Sequence, residues 1–312
     1  MAVTFTGAGW IPIETNPDVI QKVQQTSAVL RWGNPVPMGS NTKYTPRSGG
    51  VTIGRWAKST SAPADASPND SVLLNTDKFG GKVVVAAEDM EDSLASIVDA
   101  KSVDAGSSFA KLFDNVTLGI TAAKGTSGWG FDSLYYLLTQ NDTVTGYTGG
   151  TNLSTGATAA TYDNLSSSLG VYEQGDFFEE EETVAIAHPA FKQILRGIKD
   201  SQGAPILNES TAGVAGGGQG GTPKLFGYDL QWSMGAKTSA AGSSSPTGKP
   251  FIVWGNRKYL QVGNRTGGEL AVNFQDTDTG IGVDTDENLL YFRARKAFAV
   301  GAPGAFSMLV IG

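Results

Sequence analysis

The sequence predicts an α+β protein built from a long ribbon, a strut-like helix and a strand-rich final third. Two strand-like runs, around Lys43 to Trp56 and Val72 to Val85, flank the polar stretch AKSTSAPADASPND, the pattern of a hairpin with a polar tip. From Met90 to Ile120 apolar residues recur with a period near 3.6, which is the signature of a helix. Beyond Lys249, the runs PFIVWGNRKYLQVGNRTGGELAVNF and NLLYFRARKAFAVGAPGAFSMLVIG alternate like strands.

The leading segment is set apart by charge. Residues 1–60 hold Lys22, Arg31, Lys43, Arg47, Arg55 and Lys58 against Glu14 and Asp18, so they carry +4 while the remainder carries −11. This is either ordinary solubility patterning or a basic arm that lies across acidic surface, a neighbour's included. The net charge of −7 argues against a protein that grips nucleic acid by neutralising phosphates.

The ribbon comes next. With roughly fifteen residues per arm at about 3.4 Å each, it would reach on the order of 50 Å. Its arms hold few apolar residues, and a two-stranded ribbon is marginal by itself in water. Support from outside the subunit is therefore expected, with Arg47, Arg55, Trp56 and Lys58 as candidate intersubunit contacts.

Glu88, Asp89, Glu91 and Asp92 crowd the start of the long helix, where carboxylates suit the helix dipole. Unbroken, this helix would run roughly 45 Å at 1.5 Å per residue, with Gly106 as a weak point. Thr139 to Thr161 is rich in Gly, Thr and Asn and reads as a loop or surface ribbon. A second helix follows, with Tyr162, Leu165, Leu169 and Tyr172 on one face.

Thr183 to Ala187 reads as a buried strand, and the next helix shows Phe191, Ile194, Leu195 and Ile198 at i, i+3, i+4 and i+7. Between them stand His188 and Pro189, with proline suited to a first helical position. His188 is the only histidine, cysteine is absent and there is no GxSxG, so a catalytic or metal-binding histidine would lack companions. It reads as a strand-to-helix hinge. The glycines of GVAGGGQGGTPKLFGYDL precede a strand-like run rather than a helix, which makes this stretch a flexible loop and not a phosphate cradle.

In the final third, Leu290, Phe292 and Ala294 share one strand face while Tyr291, Arg293 and Arg295 share the other. Arg293 and Arg295 are candidates for salt bridges to a partner. No catalytic, cofactor-binding or metal-binding residue is nominated anywhere. The absence of cysteine excludes disulfides and thiolate chemistry, and no eighteen-residue apolar run is present to cross a membrane as a helix.

Several phrases in this order resemble the major capsid proteins of tailed bacteriophages, whose shell fold is named after phage Hong Kong 97. They are VPMGSNTKYTPRSGG, VVVAAEDMEDS, YDNLSSSLG, AHPAFKQILRGIKDSQGAPIL, KLFGYDLQWS, IVWGNRKYLQVGNRTG and YFRARKAFAVGAPGAF, and together they span nearly the whole chain from about Pro35. The resemblance implies an N-terminal arm over 1–42, an extended hairpin loop over 43–87, and a peripheral domain with a spine helix over 88–160. It further implies an axial domain over 161–270 and return strands of the peripheral domain over 271–312. A structural protein without catalysis or cofactor is implied. It would form pentamers and hexamers through many weak contacts, building an icosahedral virion shell in the host cytoplasm around double-stranded DNA that it does not read by sequence. A scaffolding protein, a portal and a decoration protein are further partners of such a shell.

Two departures stand out. Many members begin with a long charged helical scaffolding region, whereas this chain starts almost at the arm, so a separate scaffold or none is expected. Some members also cross-link a hairpin lysine to a neighbour's asparagine beside a buried glutamate. Lys58 lies near the tip here, but neither an asparagine nor a glutamate can be matched, and an ordinary surface lysine is the plainer reading. Two alternatives remain open on sequence: an encapsulin-like compartment shell of the same fold, and a β-rich adhesin or carbohydrate binder suggested by SGWGFDSLYYLL.

Overall fold

The computed structural model describes residues 24, 26–62, 64–91, 97–157, 160–198, 224–240, 246–267, 269–275 and 286–312. Two six-stranded sheets carry the architecture, with strands and helices numbered here in chain order. The first sheet contains β1 (Asn34–Met38), β2 (Thr42–Ser48), β3 (Asn69–Ala86), β9 (Leu260–Arg265), β10 (Ala271–Gln275) and β11 (Glu287–Val300). Its order is β1-β9-β11-β3-β2, and β10 also pairs with β11. The pairing of β11 with β3 is antiparallel from Glu287 opposite Ala86 to Ala297 opposite Thr76.

Alternation decides what each face of this sheet does. Phe79, Phe292, Ala294 and Phe298 are buried on the face covered by helix α3 (Ile97–Leu118), where the Phe79 ring meets Phe109 at 5.5 Å and Phe113 at 5.6 Å. Such edge contacts suit the aromatic quadrupole. The opposite face holds only a small cluster of Met38, Leu74, Ala297 and Ala299 at one end. Further along, Lys78, Lys82, Arg293 and Arg295 are exposed on that face, with Tyr291 half-buried and Leu289 buried beyond them. Helix α3 stops at Gly119, where a Cβ would lie 2.1 Å from the Lys237 carbonyl oxygen, so only glycine allows the helix end to seat against this turn.

The second sheet contains β4 (Leu153–Ala157), β5 (Thr183–Ala187), β6 (Lys224–Leu225), β7 (Tyr228–Trp232), β8 (Phe251–Asn256) and β12 (Phe306–Ile311), in the order β4-β12-β8-β5-β7-β6. Helices α5 (Tyr162–Glu173) and α6 (Phe191–Gly197) cover one face through Leu165, Leu169, Tyr172, Phe191 and Leu195. The main core, including α4 (Leu134–Thr139), covers the other. Because both faces are covered, TVAIA, FIVWGN and FSMLVI are buried at every position.

Three expectations change. The ribbon pairs only from Thr42 opposite Asn75 to Ser48 opposite Asn69, about 24 Å at 3.4 Å per residue, and 49–68 contains no strand among its described residues. From Thr76 onward β3 is held by β11 of the same chain, so this arm needs no outside support; Phe79 and the run Val83 to Val85 suit it to a sheet interior. The stretch expected over 139–161 as a loop or surface ribbon contains β4, which joins the second sheet in parallel with β12 instead of standing apart. The third sheet position to change is that of the final strand: β12 lies between β4 and β8 in the second sheet, not with the return strands of the first, because its residues are apolar on both faces.

The long helix is described in two stretches. It appears as α2 (Ala87–Glu91) and α3, with 92–96 outside the described residues, and Gly106 lies within α3 without ending it. Alone, α3 spans about 33 Å at 1.5 Å per residue. The Gly213–Gly221 loop also falls outside the described residues.

Candidate functional site

The candidate contacts divide by what already holds them. Arg47, at the far end of β2, is spent within its own chain. Its Nε and Nη2 donate to the two carboxylate oxygens of Asp70 at 2.8 and 2.7 Å. Its Nη1 donates to Asp142 Oδ2 at 2.6 Å and to the Gly301 carbonyl at 2.9 Å, and Nη2 reaches Asp142 Oδ1 at 3.1 Å. A planar fork is suited to this double bidentate grip. The side chain is only 18% exposed, and its hydrogen bonds hold the Asp70 carboxyl below the usual range. Arg47 therefore ties the ribbon to the turn at 142 and to the 301 crossover, and is withdrawn from the set of intersubunit contacts.

Arg55, Trp56 and Lys58 are different. They lie on the segment beyond the last β2–β3 pair, all exposed. The Trp56 indole donates to the Thr60 carbonyl at 2.6 Å, closing a turn in which Ser59 takes φ +67°, so its ring is positioned although 67% exposed. Val51 and Ile53 are exposed beside it, Ile53 to 90%. Three large apolar side chains on one segment are thus left uncovered by the described residues.

Arg293 and Arg295 fall on the exposed face of β11, opposite Gly80 and Lys78 of β3, while Phe292 and Ala294 point into the core. Alternation alone identified this face. What it did not reveal is that Lys78 and Lys82 share it, because strand pairing rather than spacing brings them there.

The arm is anchored from a residue that sequence reasoning passed over. Asp114 lies on the buried side of α3 and accepts four hydrogen bonds. These come from the Ser27 hydroxyl, the backbone amides of Ala28 at 2.9 Å and Val29 at 3.2 Å, and the Ser233 hydroxyl at 2.5 Å. Burial pushes its pKa upward against these donors. The result binds α1 (Ala28–Trp32) and the turn after β7 to the spine. No local pattern marked it: Asp114 lies off the stripe of Phe109, Phe113 and Val116, and its partners come from residues 27–29 and 233.

His188 occupies the strand-to-helix turn after β5. Its Nδ1 accepts from the Ala190 amide at 3.0 Å, and its backbone carbonyl accepts from the Phe191 amide at 2.9 Å. Burial, with the Lys237 charge adding, lowers its pKa to about 4. Pro189 precedes α6 by a turn residue rather than opening it. No group of three or more metal-ligating side chains occurs among the described residues.

The sequence profile of the phage capsid family matches residues 7–311. No curated protein sequence gives a significant match. Among solved structures, one from Mycobacterium phage Ogopogo superposes with a TM-score of 0.71 at 14% identity, covering 100% of both chains. One from Microbacterium phage Oxtober96 gives a TM-score of 0.67 at 18% identity, covering 97% of this chain and 96% of that one. The capsid of a native GTA particle gives 0.69 at 13% identity, covering 98% and 97%. These likenesses show the shell fold, and the profile shows more: this chain belongs to the phage capsid family and is a structural capsid protein, not an enzyme.

Proposed function

We propose that copies of this chain assemble, through pentamers and hexamers, into an icosahedral shell that encloses double-stranded DNA and forms in the cytoplasm of a bacterial host. The observation that carries this reading is the 49–68 segment, whose exposed Val51, Ile53 and Trp56 find no cover among the described residues. Burying them against a neighbour supplies a modest gain per contact, and a closed shell repeats that contact many times. Arg55 and Lys58 flank Trp56 and give the segment charge steering toward an acidic neighbour. A separate scaffold, a portal and a decoration protein complete the proposed set of partners.

Electron microscopy and sedimentation of the purified chain, with and without co-expressed neighbouring genes, test the reading. Closed particles of uniform size are expected. A chain that remains monomeric under every such condition contradicts it, and closed particles that hold a protein cargo in place of DNA point to a compartment shell.

A further inference from the structure

The exposed face of the first sheet presents four cations: Lys78 and Lys82 on β3, and Arg293 and Arg295 on β11. Lys78 and Arg295 stand directly opposite each other across the strand pair. Like charges at such positions repel. None of the four forms an ion pair with a described residue, so no described carboxylate relieves this repulsion. Asn273, Gln275 and Tyr291 border the same shallow trough with polar groups.

The complementary charge lies at the end of the same strand pair. Glu88, Asp89 and Glu91 of α2, together with Asp286, are exposed there, and Glu287 is half-exposed. Glu287 stands opposite Ala86 in the register, four residues from the Lys82 pair and eight from the Lys78 pair. At about 3.4 Å per residue these separations are about 14 and 27 Å, beyond the screening length of roughly 8 Å at physiological salt. Within one sheet these separations are fixed by the strand register, so the carboxylates at this end do not reach the cations of their own subunit. Those of a second copy displaced along the sheet can.

We infer that the Lys78, Lys82, Arg293 and Arg295 face of one subunit receives the Glu88, Asp89, Glu91, Asp286 and Glu287 end of a second copy. The contact is heterologous, face to end, and such contacts close into rings when the rotation between copies closes. It rests on the shell reading above and assigns that reading a specific junction separate from the 49–68 segment. Duplex DNA is the other polyanion that could meet the face. The second copy is favoured because five carboxylates and four cations are displayed by the same chain, whose overall charge is −7.

Charge exchange tests this. K78E with R295E replaces one like-charged cross-strand pair by another and should leave thermal unfolding of the subunit unchanged by circular dichroism. E88K with E91K reverses the other partner. Each double variant should assemble about tenfold more slowly than the parent by light scattering, with the deficit growing at low salt. Mixing the two in equal amounts should restore assembly, as should all four substitutions in one chain, because each reversed face then meets a reversed end. Normal assembly of both double variants overturns the inference while leaving the shell reading intact, as does failure of both rescues. Loss of binding to a short DNA duplex in K78E/R295E, with assembly unchanged, assigns the face to nucleic acid instead. A parent chain that forms no multimers removes both readings.

Discussion

Acidification should destabilise this subunit through one side chain, His188, and the effect can be isolated because the chain has no other histidine. His188 is 6% exposed, and its Nδ1 accepts from the Ala190 amide, so the proton of the neutral ring sits on Nε2. Protonating Nδ1 would set two donors against each other in the turn and place a buried charge near Lys237. The folded-state pKa is accordingly lowered from 6.5 to about 4. A group depressed in this way and neutral when deprotonated favours the folded state above its unfolded pKa. That contribution is lost as pH falls from 6.5 toward 4. At pH 5 the unfolded chain is almost fully protonated at this site and the folded chain is not, an imbalance of about 2 kcal/mol that approaches 3 kcal/mol at lower pH.

The comparison variant is H188N, since an Asn side-chain oxygen can accept from the Ala190 amide without titrating. Urea unfolding of unassembled subunits at pH 7.5 and pH 5 should show the parent losing about 2 kcal/mol more than H188N between the two. The single imidazole Cε1 proton signal should also stay in its neutral position at pH 5. A folded-state midpoint near 6.5, or equal pH dependence in the two proteins, would refute the burial argument.

Other substitutions separate internal from external roles. R47M should cost about 2 kcal/mol in urea unfolding, because Asp70 and Asp142 lose a shared, partly exposed cation. D114A should cost about 3 kcal/mol or more by the same measurement, since four donors at the arm–spine junction lose their acceptor. R55E with K58E should leave the subunit's melting temperature unchanged and slow assembly, with the slowing reduced at high salt. Normal assembly of that variant at low salt would remove the 49–68 segment from the contacts.

How far the sequence could be read depended on the range of the forces involved. Local periodicity was enough for α3, α5 and β5, where the pattern is written in neighbouring residues. It was also enough for β11 between Leu290 and Arg295, where burial follows alternation, though not for its ends, which are buried at consecutive positions. It failed for the ribbon, since the strand that supports β3 begins at Glu287, some two hundred residues later. The assignment of Arg47 failed for the same reason: Asp70, Asp142 and the Gly301 carbonyl converge on it only after the sheets form. Lys78 and Lys82 became part of the basic face through register, a quantity no local pattern records.

The position of β12 has a consequence for how the subunit is made. Its partners are β8 and, more distantly, β4, whose residues Leu153 and Ser154 leave the ribosome long before Met308 and Leu309 exist. Until β12 itself has left the ribosome, the second sheet has a gap between β4 and β8, and the main core lacks Phe306, Met308 and Val310. Contacts this distant in sequence form slowly, and a partly built sheet exposes strand edges. Closure of the second sheet therefore waits on the synthesis of β12, and a ribosome that stalls near Ala302 leaves a chain that cannot close its core.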